Sequence, residues 1–108
     1  MQFEVILSEA AIKDIFEIYY YVSINDSFDR ADNLRKEIYD KCLTLTSLPY
    51  RGFKIKEILD ERPDIFQIFF KSYNIIYKIE NDQVKVLAVL DGRRDLKTIL
   101  KERFIENS

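Results

Sequence analysis

Residues 2–7 alternate, with Phe3, Val5 and Leu7 on one face and Gln2, Glu4 and Ile6 on the other. A period of two predicts a short strand. Ser8 and Glu9 follow. A Ser oxygen accepts from the free N–H groups of a first helical turn, and an early Glu suits the positive end of the helix dipole. Ile12, Ile15, Phe16, Tyr19 and Val22 then recur at helical spacing, which predicts an amphipathic helix with these residues toward the core. Glu9 stands four residues before Lys13, the favourable order for a pair on a helix surface. Asn25-Asp26-Ser27 breaks the pattern. A second helix is expected from about Phe28 to Thr46, capped by Ser27 or Asp26, with Ala31, Leu34, Ile38, Cys42 and Leu45 as its apolar stripe. Asp32–Lys36 and Glu37–Lys41 have the spacing of ion pairs on its solvated side. So short a link between the helices implies an antiparallel hairpin.

Pro49-Tyr50-Arg51-Gly52 reads as a turn. Three strand-like stretches follow, from Asp64, Tyr73 and Gln83. Alternation puts Phe66, Ile68 and Phe70 on one face of the first. It groups Tyr73, Ile75, Tyr77 and Ile79 in the second, and Val84, Val86, Ala88 and Leu90 in the third. Asn81-Asp82 is a tight hairpin signal, Lys71-Ser72 a second turn, and Phe53 to Leu59 a further short strand. Asp95 is placed to cap a short final helix with Leu96, Ile99, Leu100 and Phe104 on one side. The order is β-α-α-β-β-β-α: an α+β chain with an N-terminal strand, a helical hairpin, an antiparallel sheet and a C-terminal helix. The opposite sheet face is also apolar at Phe69, Ile76, Leu87 and Val89. Something must cover it, either the C-terminal helix folding back or a partner segment in a groove.

A chain of 108 residues is expected to form a single domain, 1–108. No apolar run approaches the roughly 20 residues needed to span a bilayer. The N-terminus lacks the basic-then-apolar signature of a secretion signal, and the single Cys42 has no internal disulfide partner, so a cytoplasmic location is expected. There are no His residues, which removes the commonest general base and metal ligand. The formal net charge of −2 argues against strong direct nucleic-acid binding. The exception is local: Arg93, Arg94, Lys97, Lys101 and Arg103 face only Asp95 and Glu102 between residues 93 and 103.

Four stretches in register resemble the ParE branch of the RelE/ParE toxin superfamily, the plasmid stabilisation proteins. They are Ser8-Glu9-Ala10-Ala11 leading through Asp14–Ile18 into Tyr19-Tyr20-Tyr21, then Leu48-Pro49-Tyr50-Arg51-Gly52. Next come Tyr73-Asn74-Ile75-Ile76-Tyr77 and the closing Val86–Asp95 run with Gly92-Arg93-Arg94-Asp95. The pattern departs at Gln67, where relatives often carry Arg, and at Asp91, where many carry His.

The resemblance implies a bacterial toxin that inhibits DNA gyrase and so blocks replication, without cofactor or metal and with no catalytic residue. It implies neutralisation by a ParD-like antitoxin in a heterotetramer or larger complex. Arg93, Arg94, Lys97 and Lys101 are then candidates for the target contact, because Arg and Lys pair with acidic groups. Their alternative is local ion pairing, for Arg93 or Arg94 with Asp91 or Asp95. Tyr20, Tyr21 and Phe69 are candidates for the antitoxin contact, with an edge-of-core role as the plain alternative. Under the other branch of the family, a RelE-like ribosome-dependent mRNA endonuclease, Arg51, Lys54 and Lys56 would bind phosphate; otherwise they are a solvated face. A toxin that has lost potency and serves only as antitoxin partner or co-repressor is the third possibility.

Overall fold

The computed structural model describes residues 2–106. The first strand, β1 (Glu4–Leu7), leads through Ser8 into α1 (Glu9–Asn25), and Ser8 Oγ accepts from Ala11 N–H at 3.1 Å as the expected cap. α2 (Phe28–Leu43) starts at Ser27, whose side chain accepts from Arg30 N–H, and tightens into a 3₁₀ turn at Thr44–Thr46. The Phe53–Leu59 segment gives only a two-residue strand, β2 (Phe53–Lys54), and a 3₁₀ turn at Lys56–Ile58. β3 (Ile65–Phe70), β4 (Tyr73–Glu80) and β5 (Gln83–Asp91) follow as a meander. Its tight turns put Lys71 and Asn81 at positive φ. α3 (Leu96–Lys101) is capped by Asp95 and runs into a π-helical turn at Glu102–Glu106.

The sheet order is β1-β5-β4-β3-β2, with β1 parallel to β5 and every other pairing antiparallel. The sheet is therefore mixed, not antiparallel throughout. The helical hairpin between β1 and the meander is the crossover that a parallel neighbour requires.

Two cores sandwich the sheet. The hairpin side buries Ala11, Ile15, Ile38, Cys42 and Leu45 against Ile68, Ile75, Tyr77, Val84 and Val86. The α2 stripe is as the spacing predicts. Burial pushes the Cys42 thiol up to about 12, so it is an inert apolar filler. The other side packs Leu100 and Phe104 onto Ile58, Ile65, Ile76, Ala88 and Leu90. The C-terminal segment thus does fold back over the second face.

Two expectations from periodicity need correction. In β5, Val84 and Val86 face the hairpin but Ala88 and Leu90 face away, and Val89 returns to the hairpin side. The cause is a bulge: Tyr77 pairs with Val86 and Ile76 with Ala88, which leaves Leu87 as an extra residue. One inserted residue exchanges the faces of everything beyond it. In α1, the buried residues are Ala11, Asp14 and Ile15, while Ile12, Phe16 and Tyr20 are exposed. The helix carries apolar residues on two faces, and the broader one points away from the core.

A carboxylate on the buried face needs partners. Asp14 accepts from Val89 N–H at 3.0 Å and takes both guanidinium nitrogens of Arg103 at 2.7 and 2.8 Å. It is 6% exposed, and the Arg103 side chain 31%. Removing one member of such a pair strands the other: Asp14→Ala should cost about 3 kcal/mol, at the lower end for broken buried pairs because Arg103 keeps some water. Asp14→Asn, which retains an acceptor for Val89 N–H, should cost less. Urea denaturation of the three proteins checks this; equal stability of wild type and Asp14→Ala would refute it.

Candidate interaction site

Beside the far half of β5 lies a cleft of about 310 Å³. Its apolar lining comes from Ile18 and Tyr21 on α1 and from Tyr73 and Val89 on the sheet. Its charged lining is Asp14, Glu17, Asp91 and Arg94. Helical spacing explains the α1 wall, since residues 14, 17, 18 and 21 are one face of a helix. Asp14 is committed to Arg103, and Asp91 to Arg93, whose Nε and Nη2 donate to its two carboxylate oxygens at 2.9 and 2.7 Å. The Arg93 guanidinium holds the Asp91 carboxyl below the usual carboxylate range. Burial, and then the Asp91 charge, pushes the Tyr73 hydroxyl up. Glu17 and Arg94 keep exposed side chains on the cleft rim.

The residues singled out from the sequence fall in separate places. Arg93 closes on Asp91, the local ion pair that was its alternative, while its side chain stays 71% exposed. Arg94 lines the cleft; Lys97 and Lys101 are exposed one turn apart on α3. Arg103 turns inward to Asp14, which takes it out of the basic face. Tyr21 lines the cleft, whereas Tyr20 stacks on Phe16, with ring centroids 6.4 Å apart, along the exposed side of α1. That side continues to Ile24, again at i,i+4 spacing and exposed. Phe69 is on the other sheet face, 6.2 Å from the ring of Phe53. The three aromatic candidates therefore do not form one patch.

Nor do Arg51, Lys54 and Lys56 converge on the sheet. Arg51 bonds the Thr44 hydroxyl and shares a small edge pocket with Lys41, Phe53 and Phe69. Lys54 pairs with Phe66 and shares its face, and Lys56 opens the next turn. The uncovered end of the second sheet face carries Phe53, Phe69 and the Gln67–Asn74 amide pair, bonded at 2.8 Å.

Sequence reasoning missed Asp14, Phe53 and Tyr73. Asp14 could have been found: Ala11, Asp14, Ile15 and Ile18 are at helical spacing, and an acid within an apolar stripe asks for a buried partner.

A mixed five-stranded sheet with a helical hairpin on one face and a C-terminal helix on the other is the RelE/ParE-like toxin fold. The family model for the ParE toxin of type II toxin–antitoxin system, parDE, matches residues 5–96. The chain belongs to that family. A chain from the structure of the chromosomal ParDE TA system from P. aeruginosa superposes with a TM-score of 0.70 at 12% identity, covering 82% of this chain and 94% of that one. A mutant of E. coli toxin RelE in the free state superposes with a TM-score of 0.65 at 17% identity, covering 100% of both chains. No curated protein sequence matches. Among the described residues, no helix is long and apolar enough to cross a membrane.

The Asp91–Arg93 contact has a spectroscopic consequence. In an NMR pH titration, the Asp91 carboxyl should titrate below the ordinary carboxylate range, and Arg93→Ala should return it there. A folded carboxyl held low contributes stability above its unfolded value and loses it as pH falls through the folded one. Arg93→Ala should therefore flatten the acid limb of the stability profile. An unshifted Asp91 in the wild type would count against the contact.

Proposed function

We propose that this ParE-family chain is a toxin that acts by binding, with DNA gyrase as its target, and that a cognate ParD-like antitoxin neutralises it. The observation that carries the choice is the uncovered part of the second sheet face. RNA cleavage through the 2′-OH needs a base, an acid and cations for the phosphorane charge. That face instead exposes two Phe rings beside a neutral amide pair whose Asn74 is buried, and Arg51, Lys54 and Lys56 are dispersed around its edge. The family assignment supports an antitoxin partner, as does the likeness to a chain of the P. aeruginosa ParDE system. The exposed Ile12–Phe16–Tyr20 side of α1 adds a large apolar surface of the kind that partners cover.

The target contact is assigned to Arg94, Lys97 and Lys101, which remain uncommitted once Arg93 pairs with Asp91 at the surface and Arg103 turns inward to Asp14. Induction in cells, with DNA and protein synthesis followed separately, tests the target. DNA synthesis should stop first, and purified protein should inhibit gyrase supercoiling; early mRNA cleavage at ribosomes would establish the RelE-like reading instead. Arg94→Glu with Lys97→Glu should abolish toxicity with stability changed by no more than about 0.5 kcal/mol per site, as is usual for surface positions. A folded, fully toxic double mutant would move the contact elsewhere.

The antitoxin arm has its own check. Tyr20→Ala and Tyr21→Ala remove exposed rings from α1 and should leave the fold intact. An aromatic at an interface centre is worth about 2 kcal/mol on truncation, so at least one variant should bind antitoxin roughly 30-fold more weakly by calorimetry.

A further inference from the structure

β5 has two edges. One pairs with β4 along its whole length; the other pairs with β1 only from Gln83 to Val86, and from Leu87 to Asp91 it has no strand neighbour among the described residues. Gly92 N–H donates to Ser72 carbonyl oxygen at 2.7 Å, which sets the alternation of the ladder. By that alternation the N–H and C=O groups of Val89 and Asp91 point to the open edge. Two of the four are already used. Asp14 takes the Val89 N–H, and the Asp91 carbonyl accepts from Arg94 N–H at 3.1 Å. Among the described residues the Val89 carbonyl and the Asp91 N–H are left, beside the cleft that Ile18, Tyr21 and Tyr73 line.

That leftover pair is what an added strand would bond. A parallel neighbour bonds the C=O of one residue and the N–H two further on through a single residue of its own, and an antiparallel neighbour bonds the same two groups through two residues that flank a non-bonded pair. Val89 C=O with Asp91 N–H is therefore open to an extended segment of either direction. The pair continues the slot that β1 occupies and then leaves when the chain turns into α1.

We propose that the antitoxin enters this slot as a short extended segment that donates to Val89 C=O and accepts from Asp91 N–H. An apolar side chain of that segment sits against Ile18, Tyr21 and Tyr73, and an acidic side chain near it meets Arg94, the cleft cation with no internal carboxylate among the described residues. The inference rests on the antitoxin reading above and adds to it the site and the backbone conformation of the contact.

The test uses the full chain and the protein encoded by the neighbouring antitoxin gene. Asp91→Pro deletes the N–H at an edge position where proline is tolerated. Asp91→Ala keeps the N–H while losing the same carboxylate. The proline variant should bind the antitoxin about tenfold more weakly than the alanine variant, the scale of one lost interfacial hydrogen bond. In hydrogen exchange of the wild type, the Asp91 amide should gain protection on complex formation. Equal affinity of the two variants, or an Asp91 amide that exchanges as fast in the complex as in the free protein, overturns the strand slot and leaves the antitoxin reading standing. No complex at all with the neighbouring gene product overturns both. If Asp91→Pro does not fold, the wild-type exchange measurement decides alone.

Discussion

The backbone of β5 beyond the end of β1 is the constraint around which this fold is arranged. β5 is nine residues long and β1 only four. Where β1 stops, polar groups of a buried strand lose their neighbour, and such groups must be satisfied. The chain meets the need with its next residues. Ser8 N–H donates to Val86 C=O at 2.9 Å, and Ser8 Oγ donates to Leu87 C=O at 3.3 Å while capping α1. One turn further on, Asp14 takes the Val89 N–H. A strand edge, a bulge and a helix start are thereby joined by two side chains.

The same economy recurs at two glycines. The Tyr77 hydroxyl lies in the core, accepts from Gly52 N–H at 3.1 Å and donates to Pro49 C=O at 2.8 Å. A Cβ at position 52 would collide with the Tyr77 hydroxyl, so Gly stands there for close approach. At position 92 a Cβ would lie 2.8 Å from Asn74 Oδ1 and 3.0 Å from Ser72 C=O. The four sequence stretches that resemble the family are therefore not independent signals. Ser8 and Asp14 hold the Val86–Asp95 run, Tyr77 holds the Pro49–Gly52 turn, and Asn74 sits against Gly92. Each stretch contains groups that another needs.

This explains what was legible in the sequence. Elements were readable because their cues are local: the caps at Ser8, Ser27 and Asp95, the breaks at Pro49 and Asn81, and the stripe of α2. Faces were readable only while the period held. One bulged residue, Leu87, reversed the assignment of Ala88, Val89 and Leu90. The carbonyl of that residue is bonded by Ser8, nearly eighty residues away in sequence, a contact that no local pattern reports. The α1 stripe failed at Ile12 and Phe16, though not at Ile15, for a different reason. Periodicity finds an apolar face but cannot say which of two faces meets the sheet, and Ile12, Phe16 and Tyr20 outweigh the small Ala11 that does. The site was less legible than the fold, because a basic run in sequence does not show that Arg93 will close on Asp91 and Arg103 turn inward.

The inward turn of Arg103 decides how the C-terminal segment must be understood. α3 and the π-helical turn cover the second core with Leu100 and Phe104. The turn is also tied from the other side, where Arg62 Nη1 donates to the Phe104 carbonyl at 2.9 Å. Through Arg103, the segment neutralises a carboxylate that belongs to the hairpin side. A truncation before Arg103 would uncover the apolar second face and strand Asp14 at once. Loss of toxicity in such a truncation would then follow from lost structure whether or not the segment touches a target. Arg93, Arg94, Lys97 and Lys101 can be altered without disturbing either core. The two roles of the segment, covering the sheet and presenting charge, separate residue by residue along it, with Leu100, Arg103 and Phe104 inside and the remaining cations outside.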